Sequence, residues 1–277
     1  MMKWILLLSL CVAAFAERVR FDGYKVLDIY PKTLEQVQHV HKLSADDEVD
    51  FWTEAAIVGV TIRIMIPPHK LAIVASFLEM NGVDYTISDE NYQEKIDEEL
   101  RRMEARFSQR QPGANAYDPE DFNTFEDIES ELVEMANSCP SSISCELNSL
   151  GSSVEGRDLW QLKIQTDPAT PKRAIWIDST IHAREWLAPA TVLRIMDHMV
   201  TSYGSDDDVT KMIDAYDWYF VPVMNPDGYV YSWETNRNWR KSRNINEGST
   251  CMGTDLNRNY DVNWGLVGIS TNPCSDT

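Results

Sequence analysis

The 277-residue sequence predicts a two-domain α/β chain: a ferredoxin-like α/β sandwich, then an α/β domain built on a mixed, largely parallel sheet. Three observations predict it. From Tyr24 to Ser88 the pattern runs strand, helix, strand, strand, helix, strand. Beyond residue 115 strands alternate with helices. Between the halves, Ser108 to Asn115 reads Ser-Gln-Arg-Gln-Pro-Gly-Ala-Asn, a linker by composition.

In the first half, Tyr24 to Tyr30 is a strand, and Leu34, Val37 and Val40 mark one face of a helix after Pro31. Val49 to Trp52 and Val60 to Ile66 follow as strands, the second alternating Val60, Ile62, Ile64 and Ile66 against Thr61, Arg63 and Met65. Pro67-Pro68 starts a helix with apolar positions Leu71, Val74, Phe77 and Leu78, Gly82 stops it, and Val83 to Ile87 closes the set. A charged helix from Asp89 to Phe107 then carries Tyr92, Ile96, Leu100, Met103 and Phe107 on one narrow apolar face, suited to lie against another domain.

In the second half, Phe125 to Ala136 reads as a helix capped by Thr124, and Asp158 to Ile164 as a strand. Ala174 to Ile177 and Trp218 to Met224 read as strands buried on both faces. Between them lie a long helix from Glu185 to Tyr203 and a short one opened by Asp206 to Asp208, whose acids favour the helix N-terminus. Asn225-Pro226-Asp227-Gly228 reads as a turn.

The N-terminus places Lys3 before an apolar core, Trp4 to Val12, and ends it with Ala14-Phe15-Ala16, the pattern of a secretory signal peptide cleaved after Ala16. The expected organisation is a signal over residues 1–16, a first domain over 17–106, a linker over 107–115 and a second domain over 116–277. No other apolar run approaches the roughly 18 residues of a membrane span, so a secreted, extracellular protein without a membrane partner is expected. Cys11 leaves with the signal. Four cysteines remain, an even number that in an oxidising compartment favours two disulfides over a metal cluster.

The net charge is −19, and residues 111–277 carry 12 basic against 26 acidic residues. Such acidity argues against nucleic acid as a partner. Half of those basic residues, Arg184, Arg237, Arg240, Lys241, Arg243 and Arg258, nevertheless fall in or directly beside three short motifs. An island of positive charge in an acidic domain suits a substrate that carries an anion.

The first of those motifs is His182-Ala-Arg-Glu185. An imidazole and a carboxylate three residues apart share one side of a helical turn, a geometry that serves a zinc ion. The others are Asn238-Trp-Arg-Lys-Ser-Arg243 and Asp255-Leu-Asn-Arg-Asn-Tyr260. Together they resemble the zinc metallocarboxypeptidases of the pancreatic A/B type, made as secreted zymogens, and the resemblance spans almost the whole chain.

The resemblance implies a sandwich that serves as an activation domain and an α/β domain that removes single residues from peptide or protein C-termini with one Zn2+. It implies His182 and Glu185 as metal ligands, Asp255 as the carboxylate that orients the histidine, and Arg240 as the group that stabilises the oxyanion. Asn257 and Arg258 would clamp the substrate's terminal carboxylate, with Arg184 as a secondary contact. It implies a Cys251–Cys274 bridge, with Cys139 and Cys145 as a second bridge or as two buried thiols. A trypsin-like protease would activate a monomeric zymogen by cutting at Arg106 or Arg110, which bracket the exit into the linker.

Two departures from the family pattern stand out. Ser179-Thr180 occupies the place where a glycine usually precedes Ile181. Thr277 stops before the family's second zinc histidine, specificity pocket and catalytic glutamate, so the preference for A-like or B-like substrates stays open and the 277 residues alone are expected to be inactive. The alternative is a truncated, non-catalytic product that binds or inhibits through its activation domain.

Overall fold

The computed structural model describes residues 18–53, 55–109, 117–262, 264–265 and 270–275. The expected signal peptide, Arg110, the remainder of the linker up to residue 115 and residue 116 lie outside the described residues. Two four-stranded sheets organise the rest, one in each half.

The N-terminal sheet contains β1 (Lys25–Tyr30), β2 (Asp50–Phe51), β3 (Ile62–Ile66) and β4 (Asp84–Asp89) in the order β2-β3-β1-β4. All its pairings are antiparallel, as a ferredoxin-like sandwich requires. Alternation in β1 and β3 sends Leu27, Ile29, Ile62 and Ile64 to one face, where they meet Val40 of α1 (Leu34–His41) and Val74 and Leu78 of α2 (Leu71–Met80). Val26 and Met65 point the other way and pack with Phe21 and Ile96.

Ile96 belongs to α3 (Tyr92–Ser108), which bridges the two halves. Its first turns pack on the N-terminal sheet through Ile96; Met103, two turns later, is buried in the core of the C-terminal domain. The narrow apolar stripe read from the sequence thus covers two surfaces in succession. Arg106 sits in the last turn of this helix with its side chain 16% exposed, and not in a loop. Helical backbone offers no extended segment to a protease, so Arg106 is shielded from the expected cut.

The C-terminal sheet contains β5 (Ser144–Ser152), β6 (Asp158–Gln165), β7 (Arg173–Asp178) and β8 (Tyr216–Val221) in the order β5-β6-β8-β7. It is mixed: β7 and β8 pair in parallel across α5 (Leu187–Ser202) and α6 (Asp207–Ala215), while β5, β6 and β8 pair antiparallel. Leu162, Ile164, Trp218 and Phe220 form its inner face against Ile128 and Leu132 of α4 (Phe125–Asn137) and Met196 of α5. α4 opens with a capping box in which Thr124 and Asp127 each satisfy the other's backbone N–H.

Two sequence expectations change here, and one strand is added. Asn225-Pro226-Asp227-Gly228 does not turn the chain but starts α7 (Pro226–Glu234), with Asn225 as its cap and Pro226 in its first turn. Ser144 to Ser152, for which no element is expected from the sequence, is a strand: Cys145 and Leu147 alternate with Ser144, Glu146 and Asn148 and pack on the core, and the stretch pairs with β6. Among the described strands β7 lies at the sheet edge with Trp176 48% exposed, where burial on both faces is expected from its apolar run.

Candidate active site and metal ligands

The site forms where the end of β7, the stretch following α7 and the turn at Asp255 meet. His182 and Glu185 are not yet helical. They lie on a turn closed by the Glu185 N–H donating to the His182 carbonyl (3.2 Å), and α5 starts at Leu187. The spacing of three still brings the side chains together: His182 Nδ1 lies 2.9 Å from Glu185 Oε1.

The other imidazole nitrogen, Nε2, lies 3.3 Å from Oδ1 of Asp255. Asp255 is buried and central. Its Oδ1 also accepts the Asn257 N–H (2.9 Å), capping the short turn Leu256–Arg258, and its Oδ2 accepts from Nε and an Nη of Arg240 (3.0 and 2.9 Å). Burial opposes the charge of this carboxylate, but the adjoining His182 and the Arg240 guanidinium outweigh burial and hold it at about 2. His182 is raised above its ordinary value, because Asp255 and Glu185 together overcome the effect of burial. Glu185 is lowered: burial pushes it up, and His182 with the nearby arginines pulls it further down.

The remaining cations of the island are also engaged. Arg184 donates to Oδ2 of Asp50 at 2.6 Å, a contact from the N-terminal domain 134 residues away, and the same oxygen accepts the Trp52 indole N–H (2.8 Å). Arg237 stacks on Trp186 with its guanidinium carbon 3.7 Å from the ring centre, and pairs with Glu99 of α3 at 2.6 and 3.3 Å. Lys241 is buried and donates to the carbonyls of Pro273 and Ser275, both at 2.8 Å. Arg243 lies over Tyr231 at 3.6 Å. Arg258 and Lys241 line a cleft of ≈ 340 Å³ together with Asp255, Asn259 and Trp264. Asn257 stands exposed at its turn. Both pairs of cysteines are bridged, Cys251 to Cys274 and Cys139 to Cys145, and the former joins the two ends of the loop beside the cleft.

The carboxylates of Asp50 and Glu99 escape sequence reasoning, since nothing local distinguishes them from the other acids around them. Asn225 escapes it as well: besides capping α7 it donates to the carbonyls of Ile181 and Lys241 (3.2 and 3.0 Å), tying the His182 turn to the arginine stretch.

Family models match both halves, a zinc carboxypeptidase model over residues 128–277 and a carboxypeptidase activation peptide model over residues 27–99. The chain belongs to the zinc carboxypeptidase family. Carboxypeptidase A2 of Rattus norvegicus is 38% identical over the whole chain, and carboxypeptidase B of Bos taurus 33%. Carboxypeptidase A of Helicoverpa armigera is similar in structure, with a TM-score of 0.80 at 30% identity, covering 93% of this chain and 62% of that one. The chain spans 65% of the length of these two curated relatives.

The donors fit a zinc ion. The fit is one of donor type: Nδ1 and Oε1 converge at 2.9 Å, a hydrogen bond shorter than the roughly 3.4 Å edge of a tetrahedral zinc site, so a small opening of the pair would admit the ion, and Nε2 is turned to a carboxylate, as in most metal-bound histidines. Among the described residues no group of three or more such ligands converges. His198 is exposed on α5, where its ring pairs with Ser202. No described helix is long and apolar enough to cross a membrane.

Proposed function

We propose that this chain is the larger part of a secreted, zinc-dependent procarboxypeptidase, held latent because its activation domain occupies an arginine of the substrate site. The observation that carries the proposal is the Asp50 carboxylate on Arg184, where the side chains of both partners are about nine-tenths buried. A carboxylate there mimics a substrate anion, and Glu99 on Arg237 adds a second ion pair between the domains.

In this reading His182 and Glu185 hold the metal, which when bound supplies a Lewis acid and lowers the pKa of its water. Asp255, 3.3 Å from Nε2, orients the His182 ring, and it keeps Arg240 facing the metal ligands, from where its guanidinium can meet the negative oxygen that develops on the attacked carbonyl. Arg258 and Asn257 hold the terminal carboxylate of a peptide, with Arg184 assisting once Asp50 departs. The activating enzyme is trypsin-like, cutting after Arg110.

The test is ligand binding to the purified chain and to Asp50→Ala. A short peptide with a free C-terminal carboxylate should bind the variant much more tightly than the wild type, and the amidated peptide should bind neither. Equal binding of acid and amide would sink the proposal.

A further inference from the structure

The turn that presents His182 depends on one residue in an unusual conformation. Thr180 has φ +58°, the one non-glycine residue with positive φ among the described residues, and it is buried and β-branched. A β-branched side chain in the left-handed region is strained, and such a residue persists only where its surroundings over-determine it.

Those surroundings are specific. Ser179, on one side, is fixed through its backbone: its N–H donates to the Val221 carbonyl (3.0 Å) and its carbonyl accepts the Met224 N–H (3.0 Å). Ile181, on the other, has its carbonyl held by Asn225, and Ala183 donates its N–H to the Arg240 carbonyl (3.1 Å). Thr180 is the single residue between these anchors, and its own tie is its side chain, Oγ1 donating to the Pro222 carbonyl at 2.8 Å. Pro222 follows directly on β8, so the hydroxyl fastens the turn leaving β7 to the end of the neighbouring strand. Two residues further on, His182 sets Nδ1 toward Glu185 and Nε2 toward Asp255.

We infer that Thr180 is a positioning residue: its hydroxyl, bonded to Pro222, holds a strained left-handed turn that sets the direction of the His182 imidazole. The consequence for metal binding rests on the reading of His182 as a ligand; the inference about its orientation does not.

The test uses the full chain labelled with ¹⁵N-histidine and reads the His182 ring nitrogens by NMR at one fixed pH, assigned by comparison with His182→Gln. Thr180→Ser keeps the hydroxyl and should leave the His182 signals at their wild-type positions. Thr180→Val removes it from a side chain of the same shape, and Thr180→Ala removes it from a smaller one; both leave a strained residue without its tie and should move or broaden the His182 signals. Thr180→Gly accepts the left-handed backbone without strain, needs no tie and should keep them. Ser179→Ala, which removes the other hydroxyl bonded to Pro222 (2.5 Å) from a residue whose backbone is independently tied, should not move them. Circular dichroism establishes that each variant is folded; if the valine variant fails to fold, the alanine variant decides. Wild-type His182 signals in a folded valine or alanine variant would overturn the inference, as would displaced signals in the serine or glycine variant. Zinc uptake is measured separately. A wild-type chain that takes up no zinc would count against the metal reading while leaving the comparison of His182 signals intact.

Discussion

At the scale of single residues, the site turns on Asp255, whose two oxygens serve three partners: His182, Arg240 and the backbone of its own turn. Its side chain is 1% exposed and that of Arg240 12%, so removing the negative charge leaves a guanidinium buried without its counter-ion. Breaking a buried pair on one side costs about 3–5 kcal/mol, because the remaining charge has lost the interaction that offset its desolvation. Asp255→Asn should therefore destabilise the metal-free protein by about that amount, read from the urea midpoint. A change under about 1 kcal/mol would mean that water reaches Arg240 and replaces the carboxylate. The sequence made the members of this cluster legible by type, because a histidine, two carboxylates and an arginine in three specific motifs have few other uses. It could not reveal that Asp50 and Glu99 reach Arg184 and Arg237 from the other domain. Such pairings join residues more than 130 positions apart and leave no local pattern.

At the scale of elements, what the sequence revealed and what it hid have separate physical causes. Helices with a clear stripe, such as α3, and strands with clean alternation, such as β3, lie close to where periodicity puts them. The start of α7 reads as a turn because Asn, Pro, Asp and Gly favour turns, yet Asn as a cap followed by Pro in the first turn is equally a helix start. β5 is easy to overlook because its alternation, Cys145 and Leu147 against Ser144, Glu146 and Asn148, is short and gives way to the polar stretch Ser149 to Ser152. Cross-strand partners also set a measurable pH response. Asp28 of β1 stands directly opposite Arg63 of β3 and accepts from its guanidinium at two points, 2.7 and 2.9 Å. The bond to Arg63 outweighs burial and lowers the Asp28 carboxyl below its ordinary value of 3.8. A lowered carboxyl contributes stability that is fully present above the unfolded value and is lost as pH falls through the folded one. The stability difference between wild type and Asp28→Asn, followed by urea unfolding, should be constant from neutral pH down to about 5 and shrink below 3.8. A difference that grows on acidification would reverse the assigned sign.

At the scale of the whole molecule, the two domains meet along a seam with contacts of different kinds. Val19 donates its backbone N–H to the Thr235 carbonyl (2.8 Å), and the Tyr92 hydroxyl donates to Asn238 (3.1 Å). Asp50 pairs with Arg184 and Glu99 with Arg237, and α3 carries apolar side chains into both cores. Cutting the linker removes none of these contacts, so the activation domain should remain bound after proteolysis. N-terminal sequencing of the trypsin product should give Gln111 rather than Phe107, because Arg106 is helical and largely buried. Release should then depend on the two charge pairs. Removing one partner of a buried, hydrogen-bonded pair costs about 2–5 kcal/mol, most of it the penalty of leaving the other charge uncompensated. Arg184 and Arg237 would each bear that penalty in the complex but meet water once the domains separate. Asp50→Asn and Glu99→Gln should thus each weaken the cut complex by tenfold or more, since every 1.4 kcal/mol is about a factor of ten. Size-exclusion chromatography of the trypsin-cut protein over a dilution series measures this directly, the wild type eluting as one species at concentrations where the double variant has separated. Co-elution of both at every concentration would assign the seam's strength to the apolar face of α3 and leave Asp50 the narrower task of occupying Arg184.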